Sequence, residues 1–532
     1  MASQLLVFLI KKNIINMTTD INKEIQILAN KFQIGEFQDV LKKSSILLKK
    51  YPKNDFLWNL AGMCFQRKRD NLNAIKSFNK AINSNPKNKS AKNNLAISLK
   101  NNKEYLKAKE ILVTLLKENP NYLNAIVNLA NLKNDTYFFD DAIEYYNQAL
   151  KIKEDLPEIY LNISNILQIN NKMDQAKEKL FKALEFNENF TIADQNLSML
   201  LSYKNEKNSE HLNSMLNKIK NDQLNDNQKL YLHFALGKAF EDRKDFDNSS
   251  NHFKIGNQIR SKKIQSRIDY YEKLSKDLKE YFLKIDFKKS RKFNDRKKIF
   301  ILGLPRSGTT LLEKIVSSHS KVTSVSEVGF VHDQITNNII EEGSFSQNLA
   351  DTFIKLDLDT SFNKHLDCFN IKGHTVIDKT LVNFWYIGFL KIFFPNSKII
   401  HSYRNSKDNC LSIYKNLFPS NETWLYSQKE IGEYYLIYND LMNFWNKLFK
   451  DQIYNSKYED LINDTENQTR KIIKFCDLEW DDKCLNHHKQ NSPIKTLSIN
   501  QANQPIYKTS INSSKFYEKQ LAEMYSILNK LP

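Results

Sequence analysis

Residues 297 to 313 contain the side chains and glycines best suited to chemistry in this chain. They run Lys-Lys-Ile-Phe-Ile-Leu-Gly-Leu-Pro-Arg-Ser-Gly-Thr-Thr-Leu-Leu-Glu, which predicts a buried strand, a loop and then a helix. Gly303 and Gly308 allow the backbone to approach a ligand, and the N–H groups of such a loop and of the following helix point at one place. Arg306 adds a planar, positively charged guanidinium group whose N–H donors can bind an anionic oxygen. The segment therefore predicts an anion-binding loop.

The spacing of the two glycines matches the nucleotide-binding motif GxxxxGK[ST] with one change. Thr309 stands at the lysine position, and Thr310 stands at the hydroxyl position. Without the lysine, the loop lacks the point charge that grips the β- and γ-phosphates of a nucleoside triphosphate. We therefore expect a different anion here. The residues predicted to bind it are Arg306, Ser307, Gly308, Thr309 and Thr310.

The composition limits the classes of protein to be considered. With 532 residues the chain is long enough for two or more domains. Its 79 Lys and Arg against 61 Asp and Glu give a net charge of +18, which favours the arrival of anionic ligands. No basic patch interleaved with aromatic residues accompanies this charge, so we predict no nucleic-acid partner.

The cysteines and the N-terminus bear on location. The five cysteines are dispersed and contain no CxxC pair, which predicts a reducing, cytoplasmic setting and no structural metal. The apolar run at residues 5 to 10 is too short to cross a membrane, and no later run is long enough, so we predict no integral membrane span. Met17 is an alternative start, which leaves the presence of residues 1 to 16 in the mature protein open.

A repeat of 34 residues occupies the first part of the chain. Two series of residues recur at this spacing. One consists of the helix-ending prolines Pro52, Pro86 and Pro120, and the other of the small residues Ala74, Ala108, Ala142 and Ala176. The pattern of small and bulky positions within one unit resembles the tetratricopeptide repeat, in which each unit is a pair of antiparallel helices. The repeat weakens after about residue 200 and returns out of register at 229 to 262. We predict an α-solenoid over residues 19 to 283 and leave open whether its concave face binds a partner.

A different pattern begins after a basic connector at residues 284 to 298. Short apolar runs at 299 to 304, 375 to 377 and 398 to 401 alternate with helical stretches. This alternation predicts an α/β domain with a parallel sheet over residues 297 to 532. The anion-binding loop follows its first strand, so the domain is expected to be P-loop-like.

Three segments of this second domain resemble one enzyme family. Residues 305 to 311 are similar to the loop that holds the 5′-phosphosulfate in sulfotransferases, most of all in the tyrosylprotein sulfotransferase type. Arg404, with Ser412 eight residues later, resembles the family's segment for the 3′-phosphate, and Tyr458 opens a stretch that resembles the one near the adenine. The likeness extends over roughly residues 297 to 520. It implies 3′-phosphoadenosine 5′-phosphosulfate as donor, bound by Arg404, Ser412 and Tyr458 besides the loop.

The resemblance also implies catalytic roles for four residues. The reaction would move a sulfuryl group to an acceptor hydroxyl, with Glu327 as general base. Arg306 and Lys379 would stabilise the charge on the leaving phosphate, and Ser498 is a further hydroxyl candidate. No metal is implied. His319 and His401, near the two donor-binding segments, are alternative bases.

Departures from the family leave the acceptor open. Leu381 replaces a frequent proline, no arginine follows Glu327 closely, and residues 511 to 518 lack the family's Gly-Arg-Trp. Protein tyrosine, a saccharide hydroxyl and a lipid-linked alcohol are all retained as acceptors, held or oriented by the repeats. Homodimer formation is also left open. The alternatives to a sulfotransferase are a P-loop kinase or NTPase and a non-catalytic tetratricopeptide scaffold.

Overall fold

The computed structural model describes residues 20–262, 264–285, 296–341, 344–345, 357–367, 373–420, 422–489, 502, 504, 506 and 510–531. The chain divides into two compact units, Met1–Asp155 and Leu156–Pro532. The division falls inside the predicted repeat region. The domain limits of 19–283 and 297–532 remain a prediction. They rest on the sequence pattern, whereas the two units are defined by compactness of the fold.

The described part of the first unit consists of paired helices. They are α1 (Asp20–Gln33), α2 (Phe37–Lys50), α3 (Asp55–Arg67), α4 (Asn71–Ser84), α5 (Lys89–Asn101), α6 (Tyr105–Glu118), α7 (Leu123–Asp135) and α8 (Phe139–Ile152). Asn54 and Asn88, 34 residues apart, cap α3 and α5 by accepting hydrogen bonds from Leu57 N and Ala91 N.

Small residues set the packing distance within these helix pairs. A Cβ atom on Gly62 of α3 would lie 2.5 Å from the Phe78 ring of α4, so only glycine fits against this ring. Ala74, Ala108 and Ala142 are all fully buried. The 34-residue ladder therefore marks the positions where one helix approaches its neighbour closely, as the tetratricopeptide pattern predicts.

The second unit begins with further helices. They are α9 (Pro157–Ile169), α10 (Met173–Phe186), α11 (Thr191–Leu200), α12 (Ser209–Lys218), α13 (Asp226–Asp242), α14 (Phe246–Ser261) and α15 (Ile268–Phe282). The hairpin α13–α14 repeats the glycine contact of the first unit, since a Cβ atom on Gly237 would lie 2.7 Å from the Phe253 ring. This hairpin is the out-of-register repeat expected at residues 229 to 262.

A five-stranded sheet forms the centre of the second unit. Its strands are β1 (Lys297–Leu302), β2 (Val322–Ser324), β5 (Thr375–Asp378), β6 (Lys398–Tyr403) and β7 (Ile453–Lys457), with β3 (Ile340–Glu341) and β4 (Ser344–Phe345) forming a separate antiparallel pair. The order is β2-β5-β1-β6-β7, and every neighbouring pair is parallel. The parallel sheet predicted from the alternating pattern is confirmed.

Helices follow or flank these strands. They are α16 (Thr309–Ser317), α17 (Phe330–Asn338), α18 (Leu358–Asp367), α19 (Ile387–Phe393), α20 (Ser406–Tyr414), α21 (Gln428–Leu448), α22 (Tyr458–Asn463), α23 (Thr465–Phe475) and α24 (Ala522–Leu528). Strand β1 ends two residues before the predicted end, because Gly303 leaves the strand with φ +146° and begins the loop.

The hairpin α13–α14 packs directly on the sheet domain. Phe234 and Phe253 belong to the same buried cluster as Phe300 of β1. Asn257 of α14 donates a hydrogen bond to the Tyr414 carbonyl at 2.9 Å. The hairpin therefore shares its apolar core with β1 and α20. In the described part of the chain, no helix combines the length and apolar character needed to span a bilayer.

Candidate active site

The loop after β1 has a conformation that requires glycine at position 308. Gly308 has φ +100°, and a Cβ atom there would lie 2.5 Å from Cδ2 of Tyr458. Arg306 also lies in the left-handed region, with φ +68°, which turns its side chain out of the strand direction. Helix α16 starts at Thr309, so the loop ends at a helix N-terminus. This is the geometry expected of an anion-binding loop.

Hydrogen bonds from inside the domain hold the loop in place. The Ser307 hydroxyl donates to the Leu304 carbonyl at 2.8 Å, and the Ser402 hydroxyl donates to the Ser307 carbonyl at 3.0 Å. Asn409 of α20 donates to the Pro305 carbonyl at 2.8 Å. The side chain of Ser307 is therefore turned inward, so this residue supports the loop instead of offering its hydroxyl to a ligand.

The segment after β6 brings two predicted anion ligands to the loop. Arg306 donates a hydrogen bond through Nε to Oγ of Ser412, at 3.1 Å. Arg404 is 7% exposed, donates through Nη2 to the Ser510 carbonyl, and lies with its guanidinium 5.0 Å from the Tyr458 ring centre. Its Nε is buried without a hydrogen-bond partner among the described residues. A buried guanidinium N–H without an acceptor is costly, so it indicates a place for an anion.

A cavity of about 510 Å³, termed the large cavity, lies against this group. The predicted binding residues that line it are Arg306, Gly308, Thr309, Thr310, Arg404, Ser412 and Tyr458. Helical residues of the second unit also line it, among them Lys238 and Glu241 of α13. Glu241 accepts a hydrogen bond from Lys415 at 2.5 Å and from the Tyr517 hydroxyl at 3.0 Å. The hairpin α13–α14 is thus part of the wall of the large cavity.

The predicted base and the predicted lysine form one buried cluster with a second carboxylate. Lys379, at the end of β5, is fully buried and forms an ion pair with Glu327, whose side chain is 41% exposed. Oε2 of Glu313, on α16, lies 3.5 Å from Nζ of Lys379, and Oε1 accepts a hydrogen bond from the Ser324 hydroxyl at 2.5 Å. A single ammonium therefore lies between two carboxylates.

Opposing effects act on the charges of this cluster. Burial disfavours the charged form of Lys379, but Glu327 and Glu313 outweigh it and raise the pKa of this lysine above its ordinary value. Burial, together with the nearby Glu327 carboxylate, raises the pKa of Glu313 above its ordinary value, although Lys379 and Ser324 act in the opposite direction. Oε1 of Glu313 accepts the hydrogen bond from Ser324, whereas the buried Oε2 has no hydrogen-bond partner among the described residues and lies at ion-pair distance from Lys379. The two neighbouring carboxylates therefore favour the charged form of Lys379.

Glu327 lines a second cavity, of about 230 Å³, termed the small cavity. Gly303 and Pro305 of the loop also line it, whereas the large cavity meets the loop from Arg306 onward. Trp424 and Tyr434 form an aromatic wall, with their rings stacked 3.8 Å apart. The small cavity therefore combines one carboxylate with aromatic surface.

The remaining predicted residues lie elsewhere. Ser498 lies outside the described residues. The ring of His319 bonds to the Glu479 carbonyl at 2.9 Å, away from Glu327. His401 bonds to Tyr438 and Asn455 inside the domain, and burial lowers the pKa of His401 to about 4. Both histidines have structural partners, so the structure brings neither of them to the predicted base.

Sequence reasoning missed three contributors to the site, namely Glu313, Asp408 and Ser510. Asp408, 1% exposed, accepts hydrogen bonds from the backbone N–H groups of Asn512 and Ser514 at 2.7 and 2.8 Å, and so anchors the C-terminal segment. Ser510 accepts from Arg404 through its carbonyl and bonds to the Tyr458 hydroxyl at 2.9 Å. Two features of the sequence could have indicated these residues. Glu313 is a carboxylate on the apolar face of α16, and Asp408 is an aspartate four residues after Arg404.

Comparison with known proteins agrees with this geometry. Residues 298–482 match the sulfotransferase family, and residues 57–88 match the tetratricopeptide repeat. A protein of Aquifex aeolicus (strain VF5), named only as uncharacterized, is 28% identical over 436 residues, which are 74% of this chain and 57% of that protein. The chain thus spans little more than half the length of this relative.

Two animal proteins are also similar to a part of this chain. A putative protein-tyrosine sulfotransferase of Caenorhabditis briggsae is 22% identical over 40% of this chain and 78% of its own length. The protein-tyrosine sulfotransferase of Drosophila melanogaster is 24% identical over 36% of this chain and 40% of its own length.

Solved structures match the helical part. The crystal structure of MamA covers 32% of this chain and 97% of its own, with 23% identity and a TM-score of 0.28. A tetratricopeptide repeat protein from Parabacteroides merdae covers 44% and 92%, with 16% identity and a TM-score of 0.35. The chain thus contains one segment, residues 298–482, that matches the sulfotransferase family and another, residues 57–88, that matches the tetratricopeptide repeat.

Proposed function

We propose that this protein is an enzyme that transfers a sulfuryl group from 3′-phosphoadenosine 5′-phosphosulfate to an acceptor hydroxyl. The observation that carries the proposal is the large cavity. Its lining brings the loop residues Arg306 and Thr309 together with Arg404 and Ser412, which are about 100 residues later in the chain. These are the residues assigned to the two phosphate ends of such a donor. One cavity of suitable size joining both ends supports a nucleotide that spans them.

The charge around the large cavity also supports a ligand with several negative charges. Its lining includes six basic residues, namely Lys204, Lys238, Lys244, Arg306, Arg404 and Lys415. The lining also includes two acids, each paired with a lysine, since Glu241 bonds to Lys415 and Asp242 bonds to Lys238. The net positive lining and the unpartnered Nε of Arg404 fit a polyanion better than a neutral ligand.

Two residues of the buried cluster, Glu327 and Lys379, have a role in the proposed reaction. When bound, the donor supplies the sulfuryl group, whose sulfur–oxygen bond to the 5′-phosphate breaks as the bond to the acceptor oxygen forms. Glu327 takes the proton of the acceptor hydroxyl, because its partly exposed carboxylate lines the small cavity. Lys379 and Arg306 supply positive charge near the loop, where negative charge develops on the phosphate. We keep Ser498 as a further candidate.

Protein tyrosine is the acceptor that we propose. Two relatives are named protein-tyrosine sulfotransferases, and the aromatic wall of the small cavity suits a phenol ring beside the Glu327 carboxylate. The repeats of the first unit would then hold the protein that carries this tyrosine. A saccharide or lipid-linked alcohol is the competing outcome of the acceptor assay described below.

We further propose a reducing, cytoplasmic location and keep the homodimer as a prediction. Four cysteines among the described residues, Cys64, Cys410, Cys476 and Cys484, are free and buried, which suits a reducing compartment. Size-exclusion chromatography with light scattering would give the oligomeric state.

The decisive experiment is isothermal titration of the full chain with 3′-phosphoadenosine 5′-phosphate in the absence of magnesium. The proposal expects saturable binding with one site per chain. Folded protein that shows no detectable binding would refute it. Magnesium-dependent hydrolysis of ATP would favour the kinase or NTPase alternative, in which a metal ion bridges the phosphates.

Acceptor identity needs a separate assay. Transfer of radiolabelled sulfate from the donor should be measured with tyrosine peptides, saccharides and lipid-linked alcohols, side by side. We expect label in the peptides. A protein that binds the bisphosphate but labels none of these acceptors would favour the non-catalytic scaffold.

A further inference from the structure

Glu313 is a fully buried carboxylate that the proposed reaction does not use. It lies on α16, one turn after the loop, between apolar neighbours such as Leu312 and Ile315. Burying a carboxylate without a partner is costly, and its partners here are the Ser324 hydroxyl and the Lys379 ammonium. Any charge on this carboxylate therefore depends on these two contacts, since burial raises its pKa.

Backbone hydrogen bonds fix the geometry of these contacts. The N–H of Ser326 donates to Oγ of Ser324 at 3.0 Å, and the N–H of Lys379 donates to the Ser326 carbonyl at 3.0 Å. Helix α16, the end of β2 and the end of β5 are thus joined around one ammonium. Few rearrangements of Glu313 are open, because its surroundings are packed.

The two carboxylates that share Lys379 differ in access to solvent. The Glu327 side chain is 41% exposed and lines the small cavity, whereas the Glu313 side chain is fully buried. In the proposed reaction Glu327 accepts a proton and loses its charge. From that moment Glu313 is the carboxylate left beside the buried ammonium of Lys379.

We propose that Glu313 is a positioning residue that keeps Lys379 charged and in place beside the loop while Glu327 changes its charge. The inference rests on the proposed function, which gives Glu327 and Lys379 their roles. Among the described residues, the charged groups that face Lys379 are these two carboxylates, and both raise the pKa of the lysine against the effect of burial. Lys314, next to Glu313 on α16, is buried, and burial lowers its pKa. Asp378 accepts a hydrogen bond from the Thr380 N–H at 2.8 Å.

The test measures the pH dependence of bisphosphate binding, which requires no acceptor. Wild-type protein is titrated with 3′-phosphoadenosine 5′-phosphate from about pH 7 to about pH 11, where lysine loses its proton. Affinity is expected to fall at high pH, and Lys379→Met should make this fall smaller, since Lys204, Lys238, Lys244 and Lys415 in the lining of the large cavity also lose their protons there. Glu313→Gln keeps the shape but removes one carboxylate, so the fall should begin at lower pH. In that pH range, the affinity of Glu313→Gln for the bisphosphate should be about tenfold or more below that of the wild type. A loss of this size corresponds to one charge-assisted hydrogen bond.

Two variants separate charge from shape. Glu313→Asp keeps the charge, so its pH profile should follow that of the wild type. If Glu313→Gln does not fold, Glu327→Gln carries the test, because Glu313 alone must then keep Lys379 charged. Its affinity near about pH 8 should remain close to wild type.

The outcomes are distinct. A Glu313→Gln profile that superimposes on the wild type overturns the inference, and so does a loss of affinity in Glu327→Gln that equals the loss in Lys379→Met. A fall of the same size in the wild type and in Lys379→Met contradicts the placement of Lys379 at the bound anion, and the inference with it. Folded wild-type protein that binds no bisphosphate at any pH defeats the proposed function instead.

Discussion

Glu241 of α13 and Lys415, which follows α20, form an ion pair at 2.5 Å although 174 residues separate them. The Tyr517 hydroxyl donates a second hydrogen bond to the same carboxylate at 3.0 Å, and Tyr517 in turn bonds to Ser249 of α14. The last helical hairpin, the helix that carries Ser412 and the C-terminal segment therefore meet at one carboxylate. This junction lies in the wall of the large cavity.

Removing this junction should weaken the second unit. Glu241→Gln breaks an ion pair whose side chains are 16% and 27% exposed, so we expect a loss of about 1 kcal/mol in the free energy of unfolding. Lys429→Met is the control, because the Lys429 side chain is 63% exposed and lies 3.7 Å from Glu433, so this pair should contribute less than about 0.5 kcal/mol. Urea unfolding measures both. Equal effects of the two substitutions would contradict the role assigned to Glu241.

Arg404→Ala should abolish most of the affinity for 3′-phosphoadenosine 5′-phosphate. The guanidinium is buried, and Nη2 faces Asp408 and the Ser510 carbonyl, but Nε lacks a partner among the described residues, so this N–H is available to the 3′-phosphate. We expect a loss of about 100-fold, as for a charge-assisted bidentate contact. Arg470→Ala, at an exposed pair with Glu466, should leave the affinity unchanged. Isothermal titration decides, and undiminished binding by Arg404→Ala would remove this residue from the site.

Glu327→Ala should separate binding from turnover. The Glu327 side chain lines the small cavity and is not among the described residues that line the large cavity. The bisphosphate should therefore still bind in the large cavity. Loss of a general base should lower the rate of sulfuryl transfer by about 100- to 10,000-fold. The measurement is transfer of labelled sulfate to the acceptor identified by the assay above. Full activity in this variant would show that another group takes the proton.

Gly308→Ala should damage the loop by two effects. Alanine is strained at φ +100°, and its Cβ would displace the Tyr458 ring, which lies beside the predicted binding residues. Gly35→Ala is the control, because it has a similar φ of +89° but no atom within 4 Å of the added Cβ. Both variants should lose about 1 kcal/mol of stability. Only Gly308→Ala should also lose bisphosphate affinity, and a similar loss in both would point to a global effect.

The stability of the second unit should fall in mild acid. Burial lowers the pKa of His401 to about 4, against 6.5 for an ordinary histidine, so the unfolded chain binds the proton more readily than the folded one. The stabilisation is fully present above about pH 6.5 and is lost as the pH falls toward 4, by on the order of 3 kcal/mol.

His401→Gln should flatten that dependence. The exposed His374→Gln serves as the control and should leave the slope of the unfolding free energy against pH unchanged. Denaturant unfolding at several pH values gives the slopes. An unaltered slope in His401→Gln would mean that other groups dominate acid unfolding.

Local patterns predicted most of the fold. The 34-residue spacing reflects contacts between neighbouring helices, such as the contact of Gly62 with Phe78. These contacts join residues that are close in the sequence. The parallel sheet and the loop after β1 could be predicted for the same reason, since apolar runs and glycine spacing are local properties. The inward direction of the Ser307 hydroxyl could not, because it depends on a carbonyl whose orientation the loop conformation decides.

The rest of the site depends on contacts between distant residues. Glu313 and Lys379 belong to different elements, and only the order of β2, β5 and β1 brings them together. The contribution of α13 to the large cavity likewise follows from packing of the hairpin on the sheet domain, which no spacing within the hairpin indicates. In the sequence, residues that depend on such contacts are only charged residues whose role the local pattern does not explain.

The two cavities meet the loop along different residues, the small one at Gly303 to Pro305 and the large one from Arg306 onward. If donor and acceptor use them as proposed, neither substrate blocks the entry of the other. Initial-rate plots should then give intersecting lines, as in a sequential mechanism with a ternary complex, and not the parallel lines of a ping-pong mechanism. The bisphosphate product should compete with the donor and not with the acceptor.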